Sequence, residues 1–113
     1  TLYKNCLALT YVSYGGPENL PPLEAFSLGC PVIATKNEGS IEQLEDGAIL
    51  IDPNNTEEFI DSIEKLNNIE FKSELIKKGL LISKKKSIDN FLLDLKKVIL
   101  NLQNYIRTWK NIN

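Results

Sequence analysis

The sequence predicts an α/β fold in which three short parallel strands alternate with crossover helices and are followed by a helical carboxyl-terminal segment. Apolar segments of strand type alternate with helical segments up to Pro53, and only helical periodicity follows. Strands separated by helices imply right-handed crossovers and a parallel sheet. We therefore expect a partial Rossmann-like domain over residues 1–86 and an amphipathic helix over residues 87–113.

The three predicted strands are short and rich in apolar residues. They cover Cys6–Ser13, Pro31–Thr35 and Ala48–Asp52. The first contains Tyr11 and Val12, which suit a strand that is covered on both faces. About a dozen residues separate the later strands, which is near the minimum for a parallel crossover.

A polar loop rich in glycine and proline connects the first strand to a helix predicted at Leu23–Leu28. Pro21 and Pro22 suit the first helical positions, and Gly29 suits the point where the helix stops. The amino end of a helix has unpaired amide hydrogens and a partial positive charge, so it attracts a diphosphate. This loop is the predicted ligand site, and it favours a phosphorylated ligand.

The remaining segments up to the basic cluster are predicted to be helical. Ser40–Leu44 forms at most a single turn. Asn55 is a good N-cap, with Glu58 at the capping-box spacing. A further helix covers Phe71–Ile82, in which Gly79 allows either a close approach or a local break.

The last predicted helix, Ser87–Lys110, is strongly amphipathic. Its heptad positions are Ile88, Phe91, Leu95, Val98, Leu102, Tyr105 and Trp109. The apolar stripe is broader than a dimer seam, so packing on a globular surface and pairing with a coiled-coil partner both stay open. A rise of about 1.5 Å per residue makes this helix roughly 34 Å long, so part of it should reach past the domain.

Composition excludes several kinds of function. The net charge of -2 and the pI of about 5.2 argue against a nucleic-acid partner. The chain has no histidine and so supplies no histidine base, acid or metal ligand. Cys6 and Cys30 lie far apart in the sequence, so neither a zinc site nor a disulfide framework is indicated. We expect both cysteines to be buried, reduced and inert.

The sequence also bears on location. No apolar stretch could span a bilayer and no secretory signal opens the chain, so we expect a cytoplasmic protein. The cluster Lys84–Lys86 is either a solvated turn or a contact for acidic lipid headgroups at the inner membrane face. The lack of methionine leads us to expect a fragment of a longer chain.

Four stretches together resemble a known family: Gly16–Phe26, Gly29–Thr35, Glu42 and Asp46–Pro53. They are similar to the carboxyl-terminal, donor-binding part of the retaining glycosyltransferases of GT-B fold, called group 1 or family four. The resemblance implies a nucleotide diphosphate sugar carried by UDP, GDP or ADP. It also implies transfer of the sugar, with retention, to a glycan or lipid-linked acceptor. It implies no metal, no cofactor and a missing amino-terminal acceptor domain.

The resemblance assigns the donor site residue by residue. The second of the family's paired glutamates binds the ribose hydroxyls and matches Glu24; the alternative is a carboxylate that only complements the helix dipole. The first glutamate falls at Gly16, so its contact to the transferred sugar is not carried over. Glu18, two residues later, is a candidate for that contact, and a solvated loop side chain is its alternative.

The resemblance also assigns backbone contacts. Asn19 and Leu20 match positions whose amides face the sugar and the diphosphate, and Asn19 also suits a helix cap. Gly16 and Pro17 belong to a version of the loop found in a subset of the family. The glycine either lets the backbone approach the ligand or only makes the turn.

No residue of this chain is assigned a catalytic role. The family keeps the basic residue that neutralises the leaving diphosphate in earlier strands, which these residues do not include. Stabilisation of a leaving group is largely electrostatic, so we expect no transferase activity from this segment alone. Three functions stay open: the donor half of a glycosyltransferase, a non-catalytic nucleotide-binding module, and an interaction protein that acts through the heptad helix.

Overall fold

The computed structural model of the chain describes residues 2–14 and 20–110. Its elements are α1 (Leu2–Asn5), β1 (Leu9–Tyr11), α2 (Leu20–Ser27), β2 (Val32–Thr35), α3 (Glu38–Leu44), β3 (Ile49–Ile51), α4 (Thr56–Lys65), α5 (Ile69–Lys85) and α6 (Ile88–Lys110). The strands form one parallel sheet in the order β1-β2-β3. The predicted fold class, an open parallel sheet with crossover helices and a helical carboxyl-terminal segment, is confirmed.

Each strand is shorter than predicted. The first is only Leu9–Tyr11, because the chain forms a helical turn at Leu2–Asn5 and bends at Cys6 and Leu7 before it enters the sheet. The central strand β2 is buried along its whole length. Parallel strands that are covered on both faces have this burial pattern.

Three helices begin earlier than predicted, and one of them is α5, which starts at Ile69 rather than Phe71 after an Asn68 cap. The first residue of α2 is Leu20 rather than Leu23, since prolines are tolerated in a first helical turn. The first residue of α3 is Glu38, because the Asn37 side chain caps it and accepts a hydrogen bond from the Ser40 amide at 2.7 Å. Sequence reasoning did not identify this cap.

The cap of α4 was predicted correctly. The Asn55 side chain accepts hydrogen bonds from the amides of Glu57 and Glu58 at 3.1 and 3.3 Å. The Glu58 carboxylate in turn accepts from the Asn55 side chain at 3.2 Å and from the Asp52 amide at 2.8 Å. This network fixes the turn that leads out of β3.

The core lies on both faces of the sheet, because successive strand residues point to opposite sides. One cluster joins α2, β2, α3 and α5; its buried members are Ala25, Phe26, Cys30, Val32, Ala34, Leu44 and Ile82. The other cluster lies on the opposite face and contains Ile33, Ile51, Leu66 and Leu75. The first cluster packs α2, which carries part of the candidate site, against the sheet.

The basic cluster lies at the end of α5 and is tied to α3. The Lys86 ammonium donates to the carbonyl oxygens of Glu42 and Gln43 at 3.0 and 2.7 Å. The Lys85 ammonium lies 3.1 Å from the Glu45 carboxylate. These contacts place cations at the negative end of the α3 dipole. Two of the three lysines are therefore engaged with the protein itself.

The last helix projects away from this body. Every side chain of α6 that the structure describes is exposed, the apolar ones included. At its base the Asn90 side chain donates to the carbonyl oxygens of Lys84 and Lys85, both at 3.0 Å. Among the described residues, no helix combines the length and the apolarity needed to cross a bilayer.

Candidate functional site

The strand ends at the carboxyl edge of the sheet are joined by hydrogen bonds. The Ser13 amide, just after β1, donates to the hydroxyl of Thr35 at the end of β2 at 2.9 Å. The Lys36 amide donates to the carbonyl of Ile51 in β3 at 2.8 Å. Ligands of open α/β sheets bind outside this edge. The ends of the three strands are therefore held together by hydrogen bonds next to any site at this edge.

A longer contact crosses this edge from the first strand to the third. The Tyr14 hydroxyl donates to the side-chain oxygen of Asn54 at 3.0 Å, and the Asn54 amide donates to Asp52 at 2.9 Å. Tyr14 follows β1 and Asn54 follows β3, so this contact passes over the end of β2. Tyr14 is 81% exposed and so is accessible from the solvent side.

The structure positions two of the predicted site residues. Gly16, Pro17, Glu18 and Asn19 lie outside the described residues. Leu20 and Glu24 are one turn apart on α2, and both are exposed. The buried residues of α2 lie on the other side of the helix; they are Pro22, Ala25 and Phe26.

The earlier start of α2 changes the surroundings of Glu24. A helix that starts at Leu23, as predicted, has Glu24 in its first turn. This prediction is wrong, because α2 begins at Leu20 and has no acidic residue in its first turn. Charge–dipole stabilisation falls off within the first turn, so it contributes little at Glu24. The helix dipole therefore does not account for a carboxylate at this position. Within the described ranges, its carboxylate forms no hydrogen bond or ion pair. Among the residues that the structure describes, the Glu24 carboxylate therefore has no partner, and it is exposed.

The amino end of α2 is also poorer in donors than expected. Pro21 and Pro22 have no amide hydrogen, so only Leu20 and Leu23 can donate from the first four helical residues. A diphosphate at this end would rely on the Leu20 amide and on amides of the preceding loop, together with the helix dipole.

A cavity of about 440 Å³ lies along β3 and α4, and neither Leu20 nor Glu24, the predicted site residues that the structure describes, lines it. Its charged lining mixes Lys36 and Lys65 with Asp52, Glu58 and Asp61. Mixed charges at an open sheet edge do not select an anionic ligand. The candidate site for a phosphorylated ligand is therefore the start of α2 and not this cavity. Among the described residues, no three potential metal ligands cluster.

A second group of charges lies on α5. The Lys78 ammonium is 3.1 Å from the Glu74 carboxylate and 3.2 Å from that of Asp46. Hydrogen bonds that Lys78 donates to Glu74, and then to Asp46, raise the pKa of its ammonium group. This lysine stays charged and ties α5 to the turn before β3.

The two cysteines differ in exposure, which corrects one expectation. Cys30 is buried, but Cys6 is exposed in the bend before β1. Their sulfur atoms lie 3.3 Å apart. Burial, followed by the hydrogen bond between the two thiols, raises the pKa of the Cys30 thiol to about 11. The pair lies at the amino ends of β1 and β2, away from the candidate site.

Sequence reasoning missed three residues of the carboxyl edge: Tyr14, Thr35 and Asn54. One signal was available for Thr35, because a hydroxyl at the end of a central parallel strand lies beside the end of its neighbour. The contact between Tyr14 and Asn54 joins residues 40 positions apart, and no local pattern indicates it.

An open parallel sheet whose strands alternate with helices is the architecture of a Rossmann-like unit. The family model of the group 1 glycosyl transferases matches residues 1–79. The chain belongs to that family. No curated protein and no solved structure is significantly similar to it.

Proposed function

We propose that these residues form the donor-binding part of a retaining glycosyltransferase of GT-B fold, which takes its sugar from a nucleotide diphosphate. Membership of the group 1 family supports nucleotide-sugar binding in general. The position of Glu24 carries the finer proposal. Its carboxylate is exposed on α2, and neither an ion pair among the described residues nor the helix dipole accounts for it.

In this proposal the Glu24 carboxylate accepts hydrogen bonds from two ribose hydroxyls. An ionised carboxylate has four lone-pair sites and can hold both hydroxyls at once. Leu20 lies one turn earlier on the same side of α2, so its amide faces the diphosphate while Glu24 faces the ribose. Asn19 contributes a second amide from the preceding loop.

The sugar side of the site rests on the loop before α2. Gly16 and Pro17 let the backbone approach the donor, and Glu18 replaces the family's missing sugar-side carboxylate. The Glu18→Gln variant tests this role: it should weaken binding of a nucleotide sugar while leaving binding of the free nucleotide diphosphate unchanged. Equal losses for both ligands would assign Glu18 to the nucleotide instead.

Calorimetric titration of UDP, GDP and ADP tests the nucleotide site. We expect one of them to bind, and the Glu24→Gln variant to lose about 10- to 100-fold in affinity, as for a hydrogen bond to a charged group. Glu64→Gln is the matched control, because Glu64 is an exposed glutamate of α4. It should bind like the wild type.

The 2′-deoxy nucleotide identifies the contact. The wild type should bind it more weakly than the ribonucleotide, and Glu24→Gln should bind both alike. A wild type that does not distinguish the two sugars would remove Glu24 from the ribose. If no nucleotide binds at all, the donor-site proposal fails and an interaction role through α6 gains support.

We also propose that the acceptor domain and the basic group that stabilises the leaving diphosphate lie outside these 113 residues. The described residues form a single three-stranded unit, whereas the reaction needs a second domain across a cleft. The isolated segment should therefore show no turnover of any nucleotide sugar. Release of free nucleotide diphosphate above background would contradict this.

For location, we propose a cytoplasmic protein whose helix α6 rests on acidic lipid headgroups. Residues 84–110 contain seven Lys or Arg against two Asp, whereas residues 1–83 contain six against thirteen Asp or Glu. The exposed apolar residues of α6 include Phe91, Tyr105 and Trp109, which suit the membrane interface. Lys85 and Lys86 are engaged with α3, so the contact falls mainly to α6.

Vesicles test this location directly. Trp109 is the single tryptophan of the chain and is 75% exposed, so its fluorescence reports burial of α6. A blue shift with phosphatidylserine vesicles, but not with phosphatidylcholine vesicles, is expected. Concentration-dependent self-association without a lipid effect would instead favour a second copy as the partner of α6.

A further inference from the structure

Two cysteine thiols lie close together at the amino ends of the strands, whereas the candidate site lies at the carboxyl ends. Cys6 lies in the bend between α1 and β1, and Cys30 lies between α2 and β2. Their sulfur atoms are 3.3 Å apart, and the Cys6 thiol also lies 3.5 Å from the Tyr3 carbonyl. A disulfide needs a separation of about 2.05 Å, so a shift of little more than 1 Å joins them.

We propose that Cys6 and Cys30 form a reversible disulfide when the protein meets a low-molecular-weight disulfide such as oxidised glutathione. The proposal rests on the contact between the two sulfurs and on their unequal exposure. It is independent of the donor site.

The difference in exposure sets the order of the steps. The exposed Cys6, as the thiolate, attacks oxidised glutathione, forms a mixed disulfide and releases one glutathione thiolate. Cys30 then loses its proton and attacks the Cys6 sulfur, which expels the second glutathione thiolate. Two protein thiols are oxidised to one disulfide, and one glutathione disulfide is reduced to two thiols.

The second step should be slow near neutral pH. Burial keeps the Cys30 thiol protonated, because it raises its pKa to about 11. The observed rate of disulfide formation should therefore rise as the pH increases from 7 to 9. Contact between the sulfurs still favours this step over attack by a second protein molecule.

The disulfide would close a covalent loop from residue 6 to residue 30 that carries β1, the candidate binding loop and α2. Cross-links of this span restrict the unfolded chain and raise the melting temperature, here by on the order of 10 °C.

Mass spectrometry of the full chain tests the proposal. Glu18 and Glu24 lie between the two cysteines, so cleavage after glutamate separates Cys6 from Cys30 unless a disulfide joins them. After treatment with oxidised glutathione we expect the joined peptides, a monomer that has lost two hydrogen atoms, and full reversal by dithiothreitol. In the Cys6→Ser variant, the buried Cys30 should stay reduced.

A second variant controls for folding. Cys30→Ala leaves Cys6 exposed, and it should stop at the mixed disulfide with glutathione. If the wild type also stops there, or forms only dimers through Cys6, the proposal is wrong. The disulfide is established if the joined peptides appear in the wild type and in neither variant.

Discussion

The ring of Phe26 in α2 packs directly on Gly79 in α5. A β-carbon at residue 79 would lie 2.7 Å from Cδ1 of Phe26 and 3.1 Å from its Cγ. Phe26 is 1% exposed, so its ring has little room to move. The absence of a side chain at Gly79 is therefore what lets α2 lie against α5, and α2 carries Glu24.

Gly79→Ala should lower the free energy of unfolding by about 1–3 kcal/mol, as overpacked cores do, despite the better helix propensity of alanine. Urea denaturation measures the change. Gly39→Ala is the matched control, because a β-carbon there would meet only the Asn37 side-chain oxygen at 3.6 Å. A neutral Gly79→Ala variant would contradict the packing seen between Phe26 and Gly79.

Removing the N-cap of α4 should destabilise the protein. Asn55→Ala loses the acceptor for the Glu57 and Glu58 amides and should cost about 1 kcal/mol of unfolding free energy. Asn67→Ala, at an exposed position just after α4, should stay within about 0.5 kcal/mol of the wild type. If thermal denaturation finds equal losses for both variants, the cap contributes nothing specific.

Glu45 has a backbone conformation that favours glycine, with φ of 49°. Glu45→Gly should therefore be about 1 kcal/mol more stable than Glu45→Ala, since both lose the contacts of the carboxylate and only alanine keeps the strain. At the exposed helical position Glu42 the order should reverse, because glycine weakens a helix by about 1 kcal/mol relative to alanine. Chemical denaturation of the four variants checks both orders.

The Cys30 thiol makes stability depend on pH in the alkaline range. Its pKa rises from 9.0 to about 11 in the folded protein, so the unfolded chain loses this proton first. The contribution is fully present below pH 9 and is lost as pH rises from 9 to 11. Unfolding free energies measured across this range should fall more steeply for the wild type than for Cys30→Ala. Parallel slopes would contradict the shift.

Much of the fold was predictable because its signals are local. Asn55 and Glu58 mark the start of α4 by their spacing, and Gly29, with φ of 70°, marks the end of α2 as predicted. Strand ends were overestimated, because apolar residues such as Leu7 look like strand residues whether or not a partner strand reaches them.

The candidate site was less predictable for a related reason. Loop residues Gly16, Pro17, Glu18 and Asn19 could be assigned only by resemblance. The position of Glu24 depended on where α2 begins, and two prolines allow more than one start. Contacts such as that of Tyr14 with Asn54 exist only once the three strands are side by side.

The contact of Lys86 with α3 connects the base of α6 to the body of the protein. The 23-residue helix α6 is held at its base, where the Asn90 side chain donates to the end of α5 and Lys86, two residues before α6, donates to the end of α3. α3 starts just after Asn37, at the carboxyl edge of the sheet. A displacement of α6 would therefore reach that edge only by way of α3, whose other end is held by the Lys85 and Lys86 ammonium groups.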